Sequence, residues 1–372
     1  MPRKPRILIL NWRDIKNPSS GGAEVLTHEI AKRWSTWGYE VSHFSSYFKG
    51  AKKEEIIDGV KIIRRGNPDA RHFHRSVHFM AFLYYKKNKN KFDVVIDEIH
   101  GLPFFTPLYV KKKKVALICE VANEIWDVNF PFPFNKIGKL IEKNYFRFYK
   151  KEPFLTISNS TKNDLIKFGV SKKNITVLPM GITLPKKLPN FKKEKKPTMV
   201  FVGRLLKAKG IEDAIEVGKI LKQDLPDIRL WVIGRGEEEY EKKLKSKAKE
   251  SGLQKSVLFQ GFVKQDKKFE LISRSHVLVV PSTKEGFGLT VPEAGIVGTP
   301  AVAYNVGGLR DIIQNGRNGF VVDINPSSMA LGIKRILAND SLYKRLQEGA
   351  TISAKKLDWD NTAKVALSKL VS

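Results

Sequence analysis

The chain has 372 residues, of which 42% are hydrophobic, a size that suits two domains of ordinary length with packed cores. Its one cysteine, Cys119, excludes a disulfide framework and is typical of the reducing cytoplasm. No apolar run approaches the roughly 20 residues that span a bilayer, and residues 1–10 lack the pattern of a signal peptide, so we expect a cytoplasmic protein, either soluble or peripheral on the inner face of a membrane.

The formal net charge of +29 raises the hypothesis of a nucleic-acid-binding protein. The basic residues are spread over both halves of the chain, and neither a zinc-ligand spacing nor an aromatic-basic RNA motif accompanies them. Local runs such as residues 111–114 suit an anionic membrane face or a lipid-phosphate acceptor. Solvated surface lysines explain the same pattern equally well, so charge alone does not choose a partner.

Along the first half, short apolar runs alternate with helical periodicity, as expected of a parallel sheet covered by helices. The first helix is expected over residues 22–34. The predicted strands are residues 6–11, 40–44, 60–63, 92–97, 115–119, 154–158 and 175–178. These elements predict an N-terminal Rossmann-like domain over residues 1–180.

A linker is expected over residues 181–197, which contain Pro185, Pro189 and several lysines with little apolar periodicity. A second α/β run covers residues 198–357, and an amphipathic segment follows over residues 358–372. The predicted strands of the second run are residues 198–202, 229–233, 256–259, 277–280, 301–303 and 319–322, with helices such as 211–225 and 240–251 between them. The sequence thus predicts an α/β fold with two doubly wound domains.

Residues 285–293 carry two carboxylates, Glu285 and Glu293, around glycines at 286 and 288. They follow a predicted strand and lead into a helix start, which is where α/β proteins bind phosphorylated ligands. The carboxylates can accept hydrogen bonds from hydroxyls on both sides of the phosphate, and a nucleotide-sugar has that layout. A structural alternative is a capping box over residues 290–293, with Glu285 as an ordinary loop carboxylate.

This segment resembles the E-x7-E motif of the retaining glycosyltransferases of the GT-B fold, in the group called family 4. Residues 18–24 (PSSGGAE) resemble the N-terminal loop of that family, residues 200–210 (VFVGRLLKAKG) its Gly-Arg-Leu…Lys-Gly segment, and residues 307–320 its C-terminal signature. The resemblance implies two Rossmann-like domains that face each other across a cleft. It places the donor on residues 198–357 and the acceptor on residues 1–180, with the helix at about 358–372 crossing back onto the N-terminal domain.

The resemblance also implies which groups meet the donor diphosphate. Breaking the anomeric bond builds negative charge on that leaving group, and nearby cations stabilise the transition state. Arg204 and Lys209 are the expected cations. The backbone of Gly21 and Gly22 would contact the diphosphate from the other domain, and Glu24 would order their loop.

The resemblance also implies which residues contact the sugar, the ribose and the base of the donor. Glu285 would reach the sugar, Glu293 would reach the ribose, and Phe262 and Val263 would lie beside the base, although routine strand-to-helix turns are the alternative for that last pair. The remaining donor-binding candidates are Gly203, Gly234, Gly286, Phe287, Gly288, Leu289 and Thr290.

The acceptor side departs from the family pattern. Many relatives place a histidine after the strand predicted at 115–119, where this chain has Ile118-Cys119-Glu120. The candidates for a catalytic group there are therefore Glu120 and His100, the alternative for His100 being a hydrogen-bonded loop residue. No Asp-x-Asp motif of the metal-dependent enzymes follows a predicted strand, so we expect neither a metal ion nor a cofactor, and the two donor-site cations would replace the metal.

An acceptor or membrane surface is expected in the first half. Trp126, Phe130, Phe132 and Phe134 form a stretch broken by prolines, and a basic amphipathic helix is expected over residues 136–147. Such a pattern suits the interface of an anionic membrane or a lipid-linked acceptor, with core packing as the alternative.

The leading hypothesis is a retaining glycosyltransferase that uses a UDP- or GDP-linked sugar and a glycan, lipid-linked or polysaccharide-precursor acceptor. A nucleotide-sugar epimerase and a sugar phosphorylase are the alternatives on the same scaffold. A basic nucleic-acid-binding protein is the alternative from another class.

Overall fold

The computed structural model of the protein describes residues 3–68, 73–122, 126 and 131–371. The chain divides into two compact units. Unit 1 contains Met1–Gly181 together with Asp358–Ser372, and unit 2 contains Ile182–Leu357. Each unit is built on its own sheet, and the α/β prediction is confirmed.

The sheet of unit 1 has eight strands in the order β3-β4-β2-β1-β5-β6-β7-β8, and only β3 runs antiparallel to its neighbour. Helices pack on it because their buried residues meet the wholly buried strand β1 and its neighbours. The strands are β1 (Ile7–Leu10), β2 (Val41–Ser45), β3 (Glu54–Ile57), β4 (Val60–Arg64), β5 (Val94–Glu98), β6 (Lys113–Leu117), β7 (Phe154–Thr156) and β8 (Ile175–Val177). The helices are α1 (Gly22–Thr36), α2 (Val77–Asn88), α3 (Phe134–Tyr149) and α4 (Asn159–Lys167).

Strand β3 is absent from the sequence-based prediction. It lies at the edge of the sheet, and Ile56 is 74% exposed, so the strand lacks the apolar run by which the others are recognised. Asp58 and Gly59 both have positive φ and form the two-residue turn to β4. An Asp-Gly pair is typical of two-residue hairpin turns, and it is the sequence feature from which a strand before β4 could be predicted.

The sheet of unit 2 has six parallel strands in the order β11-β10-β9-β12-β13-β14. One large apolar core contains residues from the strands and from most of the helices. The strands are β9 (Thr198–Val202), β10 (Arg229–Ile233), β11 (Val257–Gly261), β12 (Val277–Val280), β13 (Ala301–Tyr304) and β14 (Gly319–Val322). The helices are α5 (Ile211–Lys222), α6 (Glu238–Glu250), α7 (Gln265–Arg274), α8 (Thr290–Gly295), α9 (Gly307–Ile312), α10 (Pro326–Leu337) and α11 (Asp340–Ala354).

Each sheet reverses its strand order at one point. In unit 2 the first strand, β9, lies between β10 and β12, and in unit 1 the first strand, β1, lies between β2 and β5. At such a switch point the loops after the two neighbouring strands separate and leave a crevice at the carboxyl edge of the sheet, where α/β proteins bind ligands. The crevice therefore lies at the loops after β9 and β12 in unit 2 and at those after β1 and β5 in unit 1.

The last helix, α12 (Trp359–Val371), packs on α1 within unit 1. Trp34 Nε1 donates to the carbonyl of Ala363 over 2.9 Å, and Arg33 pairs with Asp360. The sequence predicts a linker over residues 181–197, and residues 182–197 of it belong to unit 2. Lys193 fixes this segment to the unit, since its Nζ donates to the carbonyl of Ser275 over 2.6 Å. None of the helices in the described ranges is both long and apolar enough to cross a membrane.

Candidate active site

Two loops meet at the switch point of unit 2. The loop after β9 ends at Gly210, whose φ of +70° is in the left-handed region, and a Cβ there would lie 1.9 Å from the carbonyl oxygen of Pro281 after β12. The amide of Thr283 donates to the carbonyl of Ala208 over 3.0 Å. Only glycine permits both the backbone conformation and this approach, so Gly210 brings the two loops into contact.

That contact joins two residues that the sequence analysis assigned to the donor. Lys209 Nζ lies 2.6 Å from Glu285 Oε2, and the two side chains are 29% and 18% exposed. Arg204, six residues after the start of β9, is exposed, and no described residue pairs with its guanidinium. The edge therefore presents one ion pair and one guanidinium that is open to a ligand.

The loop after β13 supports the backbone of the E-x7-E segment. Gly308 N donates to the carbonyl of Glu285 over 2.8 Å, and a Cβ on Gly308 would lie 2.2 Å from the carbonyl oxygen of Gly286. Gly288 has a φ of +85°, and a Cβ there would meet Leu309 at 2.6 Å. The sequence places Gly286 and Gly288 in one motif and Gly308 in another, but it does not indicate that the loop of Gly308 contacts and supports residues 285 and 286.

Glu293 lies on the first turn of α8, where it accepts a hydrogen bond from Lys268 Nζ over 2.7 Å. The capping-box alternative is wrong, because the N-cap of α8 is Leu289 and no side chain caps the helix. Thr290 is already helical, and Phe287 is half-buried in the preceding loop. Lys268, on α7, was missed by the sequence analysis, and a lone lysine in so basic a chain gave no signal.

The end of β10 lies between the loop after β9 and the end of β11. A Cβ on Gly234, just after β10, would lie 1.8 Å from the carbonyl oxygen of Gly203, just after β9. The ends of β10 and β9 can therefore approach this closely only because residue 234 is glycine. Phe262 is 77% exposed, and Val263 is half-buried against the core of unit 2. An aromatic ring exposed to this extent is available for stacking on a planar ligand.

In unit 1, Gly21 and Gly22 open helix α1, and Glu24 Oε2 accepts a hydrogen bond from the Gly21 amide over 2.6 Å. Glu24 therefore orders this loop, as the sequence analysis expects. The amides of the first helical turn after Gly21 have no intrahelical acceptor, as in any α-helix. The role of Gly21 and Gly22 toward a phosphate stays a prediction.

The two acceptor-side candidates differ in their surroundings. His100 follows β5, and its Nε2 lies 2.9 Å from Oε1 of the buried Glu98. Glu120 follows β6 and is half-buried. In the aromatic stretch, Trp126 packs against Gly138 and donates to Glu142 of α3, whereas Phe130 lies outside the described residues.

Within the described ranges, no three His, Cys, Asp or Glu side chains are grouped so that they could hold a metal ion. The predicted absence of a metal or cofactor is not tested by that observation and stays a prediction.

Comparison with known proteins follows the division into two units. A family profile described as Glycosyltransferase Family 4 matches residues 20–185, and one described as Glycosyl transferases group 1 matches residues 185–352. An uncharacterized glycosyltransferase of Methanocaldococcus jannaschii is 31% identical over 239 residues, which are 59% of this chain and 60% of the relative. The chain thus aligns with about three fifths of the length of this curated relative.

Solved structures resemble the whole chain. The sucrose-phosphate synthase of Thermosynechococcus elongatus superposes with a TM-score of 0.81 at 19% identity, and the match covers 98% of each chain. The Anabaena protein HepE, solved in complex with UDP and glucose, superposes with a TM-score of 0.75 at 16% identity over 98% of this chain and 99% of its own. At these identities the likeness shows the fold.

Proposed function

Because this chain belongs to the GT-B glycosyltransferases of the group 1 and family 4 type, we propose that it transfers a sugar from a UDP- or GDP-linked donor to a glycan, lipid-linked or polysaccharide-precursor acceptor, with retention of the anomeric configuration. The observation that carries the proposal is the pair of Lys209 and Glu285, 2.6 Å apart at the switch point of unit 2, where the loop of Lys209 also carries the exposed Arg204.

The charges at this edge suit a departing diphosphate. Arg204 offers a planar fork of donors for two phosphate oxygens, and the Lys209 ammonium acts as a point charge. Negative charge grows on the diphosphate as the anomeric bond breaks, so both cations stabilise the transition state more than the ground state. Glu285 holds the ammonium in place, and its second oxygen remains available for a sugar hydroxyl.

Glu293 is the proposed binding group for the ribose end of the donor. Its carboxylate is fixed by Lys268 and can accept hydrogen bonds from two ribose hydroxyls. The Anabaena neighbour, which was solved with UDP and glucose, supports a nucleotide-sugar as the donor class. On this proposal the leaving phosphate deprotonates the acceptor on the same face of the sugar, so no carboxylate nucleophile and no metal ion is needed.

A thermal-shift titration with UDP, GDP and their sugar conjugates tests the donor. A ligand at 100 times its dissociation constant adds about 2.7 kcal/mol to stability, and Arg204→Ala should remove most of the shift while Lys207→Ala, an exposed lysine of the same loop, should keep it. EDTA should leave transfer intact. Loss of activity in EDTA with recovery in manganese would contradict metal independence, and absence of any nucleotide shift would contradict the donor assignment.

Two measurements separate the alternatives. An epimerase would convert the nucleotide-sugar with no acceptor present, whereas a transferase requires one to form a glycoside. A nucleic-acid-binding protein would bind RNA with steep salt dependence and without competition from nucleotide-sugars.

We further propose that the acceptor is met at an anionic membrane, on the basis of helix α3. One face of this helix is buried through residues such as Tyr145 and Phe146. A second face is apolar yet exposed: Phe134, Ile137, Leu140, Ile141 and Phe148 are 47–61% exposed. The remaining side chains between these two faces are basic, namely Lys136, Lys139, Lys143 and Arg147.

A helix with an exposed apolar face beside a basic face suits the plane of a bilayer surface. Each lysine or arginine near anionic lipid contributes about 1 kcal/mol. The expected result is sedimentation with anionic but not neutral liposomes, reversed by salt and weakened by Leu140→Asp. The control is Leu331→Asp, at a similarly exposed leucine of unit 2. Equal binding by both variants would place the contact elsewhere.

A further inference from the structure

Glu98 is a buried carboxylate at the end of β5 whose hydrogen bonds join three other segments. It accepts from Asn11 Nδ2, just after β1, over 2.8 Å and from Thr27 Oγ1 of α1 over 2.6 Å. Its other oxygen lies 2.9 Å from His100 Nε2. The carboxylate therefore sits at the switch point of unit 1, below the helix that Gly21 and Gly22 open.

The ring of His100 is held on two sides. Its Nε2 faces Glu98, and its plane stacks on Trp12 with the centroids 5.8 Å apart and 17° between the planes. The guanidinium of Arg13 covers Trp12 at 4.2 Å. The side chain of His100 is 17% exposed, and Nδ1 has no hydrogen-bond partner among the described residues and is not sealed in the interior. One ring nitrogen is thus fixed and the other is open.

The charges around the ring favour its protonated form. Burial lowers the pKa of His100, but the hydrogen bond and the charge of Glu98, together with the charge of Glu24, raise it, and Arg13 opposes them. The net result is a pKa above the ordinary value. Because Nε2–H is directed at Glu98, the imidazolium has a second N–H at Nδ1 to donate.

We propose that Glu98 is a positioning residue that holds His100 so that Nδ1–H donates to an oxygen of the sugar substrate. The inference rests on the glycosyl transfer proposed above. It assigns His100 to substrate contact and gives Glu98, Asn11 and Thr27 the task of fixing the ring. No covalent step on His100 is involved.

Glu98→Gln is the decisive variant, because it keeps the shape of the side chain while removing its charge. We expect kcat/KM of the wild type to fall with rising pH as His100 loses its proton, and NMR of the ring Cε1 to titrate at the same pH. In Glu98→Gln both midpoints should move to lower pH by about one unit or more, and His100→Gln should lack the fall. The matched control is Asp97→Asn, at the adjacent buried carboxylate, which binds Thr106 and Tyr149 and not His100.

Several outcomes would overturn the inference. One is an unmoved titration of His100 in Glu98→Gln, and another is full kcat/KM with an unchanged pH profile in His100→Gln. In the wild type alone, a His100 midpoint below the ordinary value of about 6.5 would also overturn it, so the test does not depend on folding of a variant. Failure of the proposed function itself would be seen separately, as the absence of a thermal shift with any nucleotide-sugar.

Discussion

The two switch points share a topology and differ in where they keep their charge. In unit 2 the loops after β9 and β12 carry the exposed Arg204 and the partly exposed pair of Lys209 and Glu285, and these loops are held by backbone contacts that only glycine permits. In unit 1 Glu98, the last residue of β5, is buried and accepts hydrogen bonds from three side chains, and only one nitrogen of His100 is open.

This difference suggests a division of tasks within one fold. Exposed cations are suited to a ligand that brings its own charge, such as a diphosphate. A buried carboxylate cannot serve such a ligand, but it can fix the orientation and proton of a neighbouring ring. Substitutions at the edge of unit 2 should therefore lower activity because a positive charge is lost. Substitutions around Glu98 in unit 1 should lower it because the ring of His100 loses its orientation and its proton.

The largest effect is expected from the charge in unit 2. Lys209→Met should lower kcat/KM by about 10²–10³-fold, the range for removing one preorganised donor from a developing anion. Glu285→Gln should lower turnover because the ammonium loses its anchor and the sugar loses an acceptor. Lys207→Met, two residues away and exposed, is the control. Steady-state kinetics with equal losses in Lys207→Met and Lys209→Met would show that position in the loop, and not the ion pair, sets the rate.

The next effect concerns the glycine contact that builds this edge. Gly210 and Gly252 have φ of +70° and +69°, but a Cβ meets Pro281 at 1.9 Å in the first and nothing within 4 Å in the second. Gly252→Ala should lower the free energy of unfolding by about 1 kcal/mol, as expected for alanine in a left-handed conformation. Gly210→Ala should lose more and should also lose donor binding. Denaturant unfolding and nucleotide thermal shifts measure both, and matching losses at the two positions would deny the contact any special role.

The two sheet edges also differ in how much of each the sequence predicts. The cations and glycines of unit 2 lie in short segments after strands, and the predicted strands have the observed bounds at β9, β10, β12 and β14. The assignment of Lys209 and Glu285 to one site came from the resemblance, and the structure places them 2.6 Å apart.

The sequence could not predict the cluster around Glu98 in the same way. Asn11, Thr27 and Glu98 are 87 residues apart at most, and they meet only because β1 pairs with β5 while α1 packs above them. The motif at 18–24 marks the start of α1, and Thr27 lies outside it. Lys268, the partner of Glu293, was missed for a similar reason, since α7 brings it to α8 through packing that no local pattern records.

A smaller effect is expected at Glu293. Glu293→Gln should raise KM for the donor about tenfold and leave kcat nearly unchanged, because a bond to ribose is made in the ground state and the transition state alike. The control is Glu270→Gln, at another carboxylate of the same unit that pairs with lysine and arginine. A fall in kcat at constant KM would place Glu293 in the chemical step.

The last prediction concerns the amine of Lys193, which lies away from the switch point of unit 2 and acts on stability and not on activity. Burial lowers the pKa of Lys193 to about 7, and its Nζ donates to Ser275 O and Thr299 Oγ1. The ordinary pKa of lysine is 10.5. Between pH 7 and 10.5 the unfolded chain therefore binds more protons at this residue than the folded chain, so stability should rise with pH, by at most about 1.4 kcal/mol per pH unit. Urea unfolding from pH 7 to 9 should show that rise in the wild type and in Lys195→Met, an exposed neighbour, but not in Lys193→Met. Parallel curves for all three proteins would contradict the lowered pKa of Lys193, because a lysine that stays charged in the folded state binds the same number of protons in the folded and unfolded chains.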